Sequence, residues 1–490
     1  MRRTFPLLFV AGALVAAPPA VAQSVVAQSV IAHKQTIAEK YTEPSQKLIA
    51  AALADQEGLQ RLQYLCDRIG NRVSGSESLE RAIAWAAAEM KRSGLENVQT
   101  PPVKVPRWVR GRESALMLAP LEKPLPILGL GMSVGTPANG ITADVIAVNT
   151  FEQLAELGRD KVAGKIVLWN PVWQGYGQTV AYRSSGASRA AQLGAVAVLV
   201  RSMTDHSLQT PHTGALDYLA DVPAKIPAAA VTVEDAAMME RLLKTGTPVR
   251  VKLSMEAHRE EDAISHNVMG EIRGSEKPEE VVVLGGHIDS WDIGQGANDD
   301  GSGIMATFQA VALIHKLGLR PRRTLRVVFW VNEENGGAGG KAYRVMIGNA
   351  IQDHVAAIEM DGGAEKPLGF GFGGVNRGRR REPSAPAPPS AARTSQAAFE
   401  RAVEIGKLLE NIEGGQMTPG GGGSDISPLL ADGVPGFGVR TVGAHYFDWH
   451  HTNADTFDKI VPREFRLNVA SLAVLSYVLA DMPERLSDLP

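Results

Sequence analysis

The sequence holds a single cysteine, Cys66, in 490 residues. An internal disulfide and a multi-cysteine metal site are both excluded, so any metal must be held mainly by His, Asp and Glu. Neither sign of charge dominates: 50 basic residues face 53 acidic ones, a formal charge of -3. That balance gives no global draw toward nucleic acid and no acidic solvating tail. Long apolar runs are missing too. The stretches at residues 7–17 and 469–480 fall well short of the roughly 20 residues a membrane span needs, and the second reads as a buried helix. What remains is ordinary globular composition, 44% hydrophobic and 21% charged, on a chain long enough for about three domains and a large core.

At the start, Arg2 and Arg3, the apolar run and the small-x-small triplet Ala20-Val21-Ala22 have the form of a secretory signal cut before Gln23. The expectation is a secreted or periplasmic protein with no membrane contact once residues 1–22 are removed. Residues 23–45 read as a flexible lead. From Gln46 to Ile69 apolar residues recur at helical spacing until Gly70, and Ser74 with Glu77 fits a capping box opening a helix that Gly94 closes. Residues 113–258 change texture. Short β-branched runs begin at Ile141, Lys165, Ala195, Ala228 and Val249, separated by Gly/Pro turns with two or so helical stretches, which reads as a compact strand-rich insert. The flanking parts, residues 46–112 and 259–490, form one interrupted domain.

In the second part strands alternate with helices: VVVL from Val281, a helix from Gly303 to Leu317, LRVVFWV from Leu325, a helical stretch from Gly340 and VAAIEM from Val355. This predicts an α/β fold whose mixed, largely parallel sheet is covered by helices on both faces. Residues 376–393, RGRRR followed by SAPAPPSAA, read as an exposed basic, Pro/Ala-rich loop and not as a nucleic-acid site.

Ligands of α/β sheets bind beyond the carboxyl ends of the strands. There the sequence places His287 and Asp289 after VVVL, Glu333 and Glu334 after LRVVFWV, and Asp361 after VAAIEM; Asp299 and Asp300 sit in a glycine-rich turn, and His450, His451 and Asp455 come late. Each alone has a plain explanation as a cap, a turn or a solvated face. Together they form an N/O ligand set larger than one zinc needs, suited to two metals about 3.5 to 4 Å apart.

The segments GGHIDSWDIGQGANDDGSG, FWVNEENGG, EMDGG and HHTNADT resemble signature elements of the co-catalytic zinc metallopeptidases of family 28. The resemblance extends to NRVSGSESLERAI, TPHTG and LGLRPRRTLRVV, and so covers nearly the whole chain after the signal. It implies a zinc exopeptidase fold, a protease-associated domain for the insert, two Zn2+ per chain, a short peptide substrate and a homodimer. Carried over by position, it makes His287 and Asp361 ligands of one zinc, Asp299 the bridging carboxylate, and Glu334 and His451 ligands of the second. Glu333 is left for acid–base work, on the reading that neighbours on an extended segment face opposite ways. Asp289 matches a carboxylate that orients the His287 imidazole, and His451, before Thr452, is preferred over His450. Asp455 is expected to support the histidine loop, and His212 to be structural. Ser424, Asp425 and Tyr446 fall where such enzymes build the substrate pocket, although a Gly-rich turn and a buried aromatic also explain them. An aminopeptidase of longer peptides, a non-catalytic receptor-like protein of the same fold and a two-metal phosphoesterase stay open.

Overall fold

The computed structural model describes residues 1, 2, 4, 6, 7, 36–222, 224–373 and 389–488. Most of the expected signal, its cut site and residues 376–388 of the basic loop lie outside the described residues. Residues 36–490 form one contact unit, built on two eight-stranded sheets.

The first sheet runs in the order Glu96–Gln99, Val268–Ile272, Arg323–Trp330, Lys277–His287, His354–Glu359, Gly436–Thr441, Pro367–Gly373 and Gln416–Pro419. Its centre is parallel, Lys277–His287 lying between Arg323–Trp330 and His354–Glu359, while antiparallel pairs occur toward the edges. Strand alternation explains why the central runs are apolar throughout. Val282 and Leu284 enter one core with Leu325, Val327 and Phe329, whereas Val281 and Val283 enter the opposite core with Val328 and Trp330. Each such side chain contributes about 1.5–3 kcal/mol on burial. The first face is covered by helices Ile37–Ala54, Ser302–Lys316 and Pro462–Asp481, and residues 469–480 of the last are entirely buried. No described helix is long and apolar enough to cross a membrane.

Gly285 marks the tightest contact between central strands. A Cβ there would stand 1.8 Å from the Val328 carbonyl oxygen and 2.8 Å from the Trp330 ring. Gly285→Ala is therefore expected to destabilise the fold by about 2–3 kcal/mol, read as a lowered midpoint in thermal or denaturant unfolding.

The second sheet is formed wholly from residues 113–255. It comprises an antiparallel part (Lys123–Leu125, Glu113–Ala119, Arg250–Met255), a parallel run (Ile141–Val148, Ile166–Trp169, Ala197–Arg201, Ala228–Val231) and an antiparallel end strand, Ile127–Gly129. Two ribbons join it to the first part, Pro102–Val105 with Ala263–His266 and Trp108–Val109 with His258–Arg259. The five β-branched runs all form strands, but the unit holds more helix than expected. Phe151–Val162, Gly186–Gln192 and Val233–Lys244 are helices, and Tyr176–Thr179 and Ala181–Ser184 are single turns.

Three boundaries differ from the sequence reading. Helix Ile37–Ala54 begins inside the segment expected to be a flexible lead. Thr36 caps the Glu39 amide and the Glu39 side chain accepts from the Thr36 amide, a capping box that buries Tyr41 and Leu48 beyond it. The second helix, Glu77–Arg92, is capped by Ser76 and not by Ser74. The last residues assigned to the basic loop belong to helix Pro389–Lys407, where Pro suits the first turn and the alanines favour helix.

Candidate active site

The residues singled out at the strand ends meet at the carboxyl edge of the parallel strands. Asp299 is the hub. Its Oδ1 lies 3.1 Å from His287 Nε2 and its Oδ2 lies 3.1 Å from His451 Nε2. His287 Nε2 also approaches Asp361, at 3.6 Å, and His451 Nε2 approaches Glu334, at 3.1 Å. One carboxylate thus spans two His–carboxylate groups. His450 stacks on His451 at 3.6 Å between ring centroids and reaches Asp299 Oδ2 at 3.5 Å, so nearness to Asp299 does not separate the two histidines. The contact with Glu334 does.

Each hub residue is held from behind. The turn carrying Asp299 is anchored by Asp455, whose carboxylate accepts from the Asn298 amide at 2.8 Å and the Asp299 amide at 3.1 Å. Asp455 therefore supports this turn, where the sequence reading had it supporting the histidine loop. Asp300 points away from the hub and accepts from the amides of His287 and Gly303, each at 3.1 Å. Arg72, fully buried, donates to the carbonyls of Gly70, Ile288, Gln295 and Gly296, closing the loop between His287 and Asp299. Arg72→Met would orphan these four acceptors and is expected to cost more than about 3 kcal/mol, measurable by denaturant unfolding.

Glu333 and Glu334 lie on a turn, not on an extended segment. The divergence of their side chains comes from that turn, which Asn332 enters at φ 67, a conformation Asn tolerates better than most residues. The Asn332 side chain donates to Ser74 Oγ at 3.0 Å and accepts from the Ala338 amide at 3.3 Å. Asp289 fastens the same turn. Its carboxylate accepts from the Glu333 amide at 3.1 Å, the Glu334 amide at 3.4 Å and the Ser74 hydroxyl at 3.3 Å. The imidazole of His287 is oriented by the Asp289 backbone carbonyl, 3.0 Å from Nδ1, and the Asp289 carboxylate stands back at 3.9 Å. The expected carboxylate–imidazole pairing is corrected accordingly.

Electrostatics concentrate on the same atoms. Burial opposes charge on His287, yet Asp299 and Asp361 hold its pKa well above the usual imidazole value; for His451, Glu334 and Asp299 likewise outweigh burial. His450, dominated by burial and the neighbouring His451 charge, is held well below. Burial pushes Glu334 up to about 8, reinforced by the Asp299 charge. Glu333 is raised mainly by burial. A buried field that favours positive charge on two imidazoles also favours cations. Two imidazoles, three carboxylates and no thiolate fit a borderline divalent ion such as zinc. His287, Asp299 and Asp361 cluster closely enough to share one ion, as do Asp299, His450 and His451.

Beside the hub opens a cavity of about 350 Å³ lined by Glu333, Glu334, Asp361, Ser424, Tyr446 and Arg183, among others. Ser424 and Tyr446 are both in its lining. Asp425 does not line the cavity; it is buried behind it, its pKa raised by burial and by the charges of Glu359 and Glu333.

Sequence reasoning left Arg72 without a role and gave Ser74 only a capping one, although both stand in the NRVSG segment already singled out. It also missed the part played by the second sheet's unit. Thr213 exchanges hydrogen bonds with His451, accepting from Nδ1 at 3.2 Å and donating to the His451 carbonyl at 3.0 Å. His212 beside it is buried. No local pattern signals such a contact, because chain folding brings the partners together over more than 200 residues.

A family model described as peptidase family M28 matches residues 267–475. Carboxypeptidase Q from Bos taurus is 42% identical over 433 residues, covering 88% of this chain and 87% of the bovine one. Carboxypeptidase Q from Xenopus laevis is 41% identical over 455 residues, 92% of each chain. Among solved structures, the peptidase M28 precursor from Shewanella amazonensis SB2B superposes with a TM-score of 0.84 at 33% identity, over 92% of this chain and 99% of that one. The zinc aminopeptidase BSAP from Bacillus subtilis shares the fold, with a TM-score of 0.61 at 18% identity over 88% of this chain and 97% of its own.

Proposed function

This chain belongs to peptidase family M28 and is a zinc-dependent metallopeptidase, and from that premise we propose an exported exopeptidase that hydrolyses short peptides, chiefly dipeptides with free ends, using two zinc ions. The observation that carries the reading is Asp299 spanning the His287–Asp361 and His451–Glu334 groups while Glu333 remains outside both and faces the cavity. The first group would hold one ion, the second group the other, and Asp299 both. When bound, the ions supply polarisation of the scissile carbonyl and a more acidic water.

The remaining work falls to the chain. Glu333 accepts a proton from the attacking water and delivers it to the leaving amine, a role suited to a carboxyl whose pKa burial has raised. Ser424, beside it in the cavity lining, favours the charged form of that carboxylate and helps to aim it. Asp289 and Ser74 keep Glu333 and Glu334 in their divergent directions. Tyr446, half-buried at the cavity wall, restricts water and presents a hydroxyl toward the bound peptide. Export rests on the form of residues 1–22, and residues 113–258 are read as a protease-associated domain.

Metal analysis of the purified protein, combined with a panel of free, N-acetylated and C-amidated dipeptides, tests the reading. Two zinc equivalents and chelator-sensitive cleavage of free dipeptides are expected. Cleavage that survives complete metal removal would overturn it.

A further inference from the structure

Trp291 follows His287 closely in sequence, in the part of the chain that builds the first sheet, yet its side chain belongs to the other core. It is 2% exposed and shares the apolar core of the second sheet with Met117, Leu253 and Met255. Room is kept for it there. A Cβ on Gly131 would stand 2.0 Å from Trp291 Cη2, and the Trp108 ring meets the indole edge to face, with 6.5 Å between centroids. The residues on either side fasten this plug: Asp292 pairs with Arg110 at 2.6 Å, and the Ser290 hydroxyl accepts from the Arg72 amide at 3.0 Å. The indole N–H is buried without a partner, so packing alone holds the ring.

The same indole reaches the hub. It meets the His451 imidazole edge to face, with 5.7 Å between centroids and 64° between planes. His450 stacks on that imidazole and Thr213 occupies its Nδ1, which leaves Nε2 for Asp299 and Glu334. His451 needs such a clamp. Its φ is 60, a left-handed conformation that a histidine keeps only where the surroundings impose it. Two of the three contacts lead to one place in the second sheet's unit, because Gly131, which receives Trp291, donates its amide at 3.0 Å to the carbonyl of Gly214, next to Thr213. His287 is held differently. It ends a central strand of the first sheet and is oriented by the Asp289 carbonyl.

We propose that Trp291 is a positioning residue for the second ion group: it carries the packing of the second sheet's unit to His451, so that the affinity of the His451–Glu334 group, and not that of the His287–Asp361 group, depends on this ring. The inference rests on the two-ion reading above and makes the second sheet's unit part of one ion's site. Shape is what the ring supplies. With no hydrogen bond from its N–H, its hold on the imidazole lies in close packing and the edge-to-face contact.

The test titrates zinc into wild type, Trp291→Leu, Trp291→Phe and Met239→Ala, with the thermal midpoint measured on each. Met239→Ala weakens the same core from helix Val233–Lys244 and is the control for lost stability. Expected for Trp291→Leu is a roughly 10- to 100-fold weaker hold on one zinc, the range for residues that orient a ligand, with the other zinc unchanged. The zinc affected is the one that Asp361→Ala retains. Trp291→Phe, which keeps a ring against the imidazole, recovers most of the loss. Unchanged affinity for both ions, equal weakening of both, or the same selective loss in Met239→Ala would assign Trp291 to the core alone and overturn the proposal. A wild type that binds fewer than two zinc ions removes the two-ion reading, and hydrogen exchange of the metal-free proteins then decides the positioning role by itself. Faster exchange over residues 449–453 in Trp291→Leu than in Met239→Ala, with His354–Glu359 unchanged, supports that role; equal exchange overturns it.

Discussion

Glu333→Gln is expected to lower kcat by roughly 10²- to 10⁴-fold, the range for removing a general acid–base group, while leaving zinc content and KM near wild type. The substitution is close to isosteric. The backbone amide of residue 333 still bonds to Asp289, so the turn that aims Glu334 at His451 is retained. What disappears is the ability of a buried carboxyl to accept a proton at neutral pH and return it. Steady-state kinetics on a free dipeptide beside metal analysis separates the two effects. Turnover within a few-fold of wild type would remove Glu333 from the proton path.

The second large effect concerns the hub. Asp299→Ala removes both oxygens that face His287 and His451, so it should weaken metal binding at both groups together, by at least about 100-fold, the upper end of what loss of a merely supporting residue costs. Activity should fall below detection at ordinary zinc concentrations. Asp361→Ala, which touches only the His287 group, should release one zinc equivalent and leave the other. The comparison discriminates, because a non-bridging Asp299 would behave like Asp361. Unfolding measured with chelator present keeps a loss of metal distinct from a loss of fold.

Much of the sheet could be read in advance because it is buried on both faces. Runs such as Val281–Leu284 carry apolar residues at every position, and a chain does that over a few residues mainly when a parallel strand has helices above and below it. The same logic led to the strand ends, where His287, Glu334 and Asp361 stood out as polar residues directly after such runs. Direction and support were not legible. Whether Glu333 and Glu334 diverge through a strand or a turn depends on the left-handed backbone at Asn332, which the residue type permits without requiring. Ser74 looked like a cap because its spacing to Glu77 suits one, but Ser76 two residues on satisfies the same amide geometry and frees Ser74 for Asp289. Asp425 shows the limit from another side: a Gly-rich segment beside a pocket gives no sign of which side chain turns in and which is buried behind. Thr213 lies in a different sheet's unit from His451, and their pairing is a product of tertiary docking alone.

The reciprocal hydrogen bonds between Thr213 and His451 join residues made far apart in synthesis. The groups that meet at Asp299 are delivered across the chain from residue 287 to residue 451, and the last of them leans on residue 213 of a unit completed much earlier in synthesis. A ribosome-bound chain thus has the early unit and the strands but lacks the residue that closes the centre. Until residue 451 has emerged, the polypeptide cannot bring this imidazole to Asp299 and Thr213.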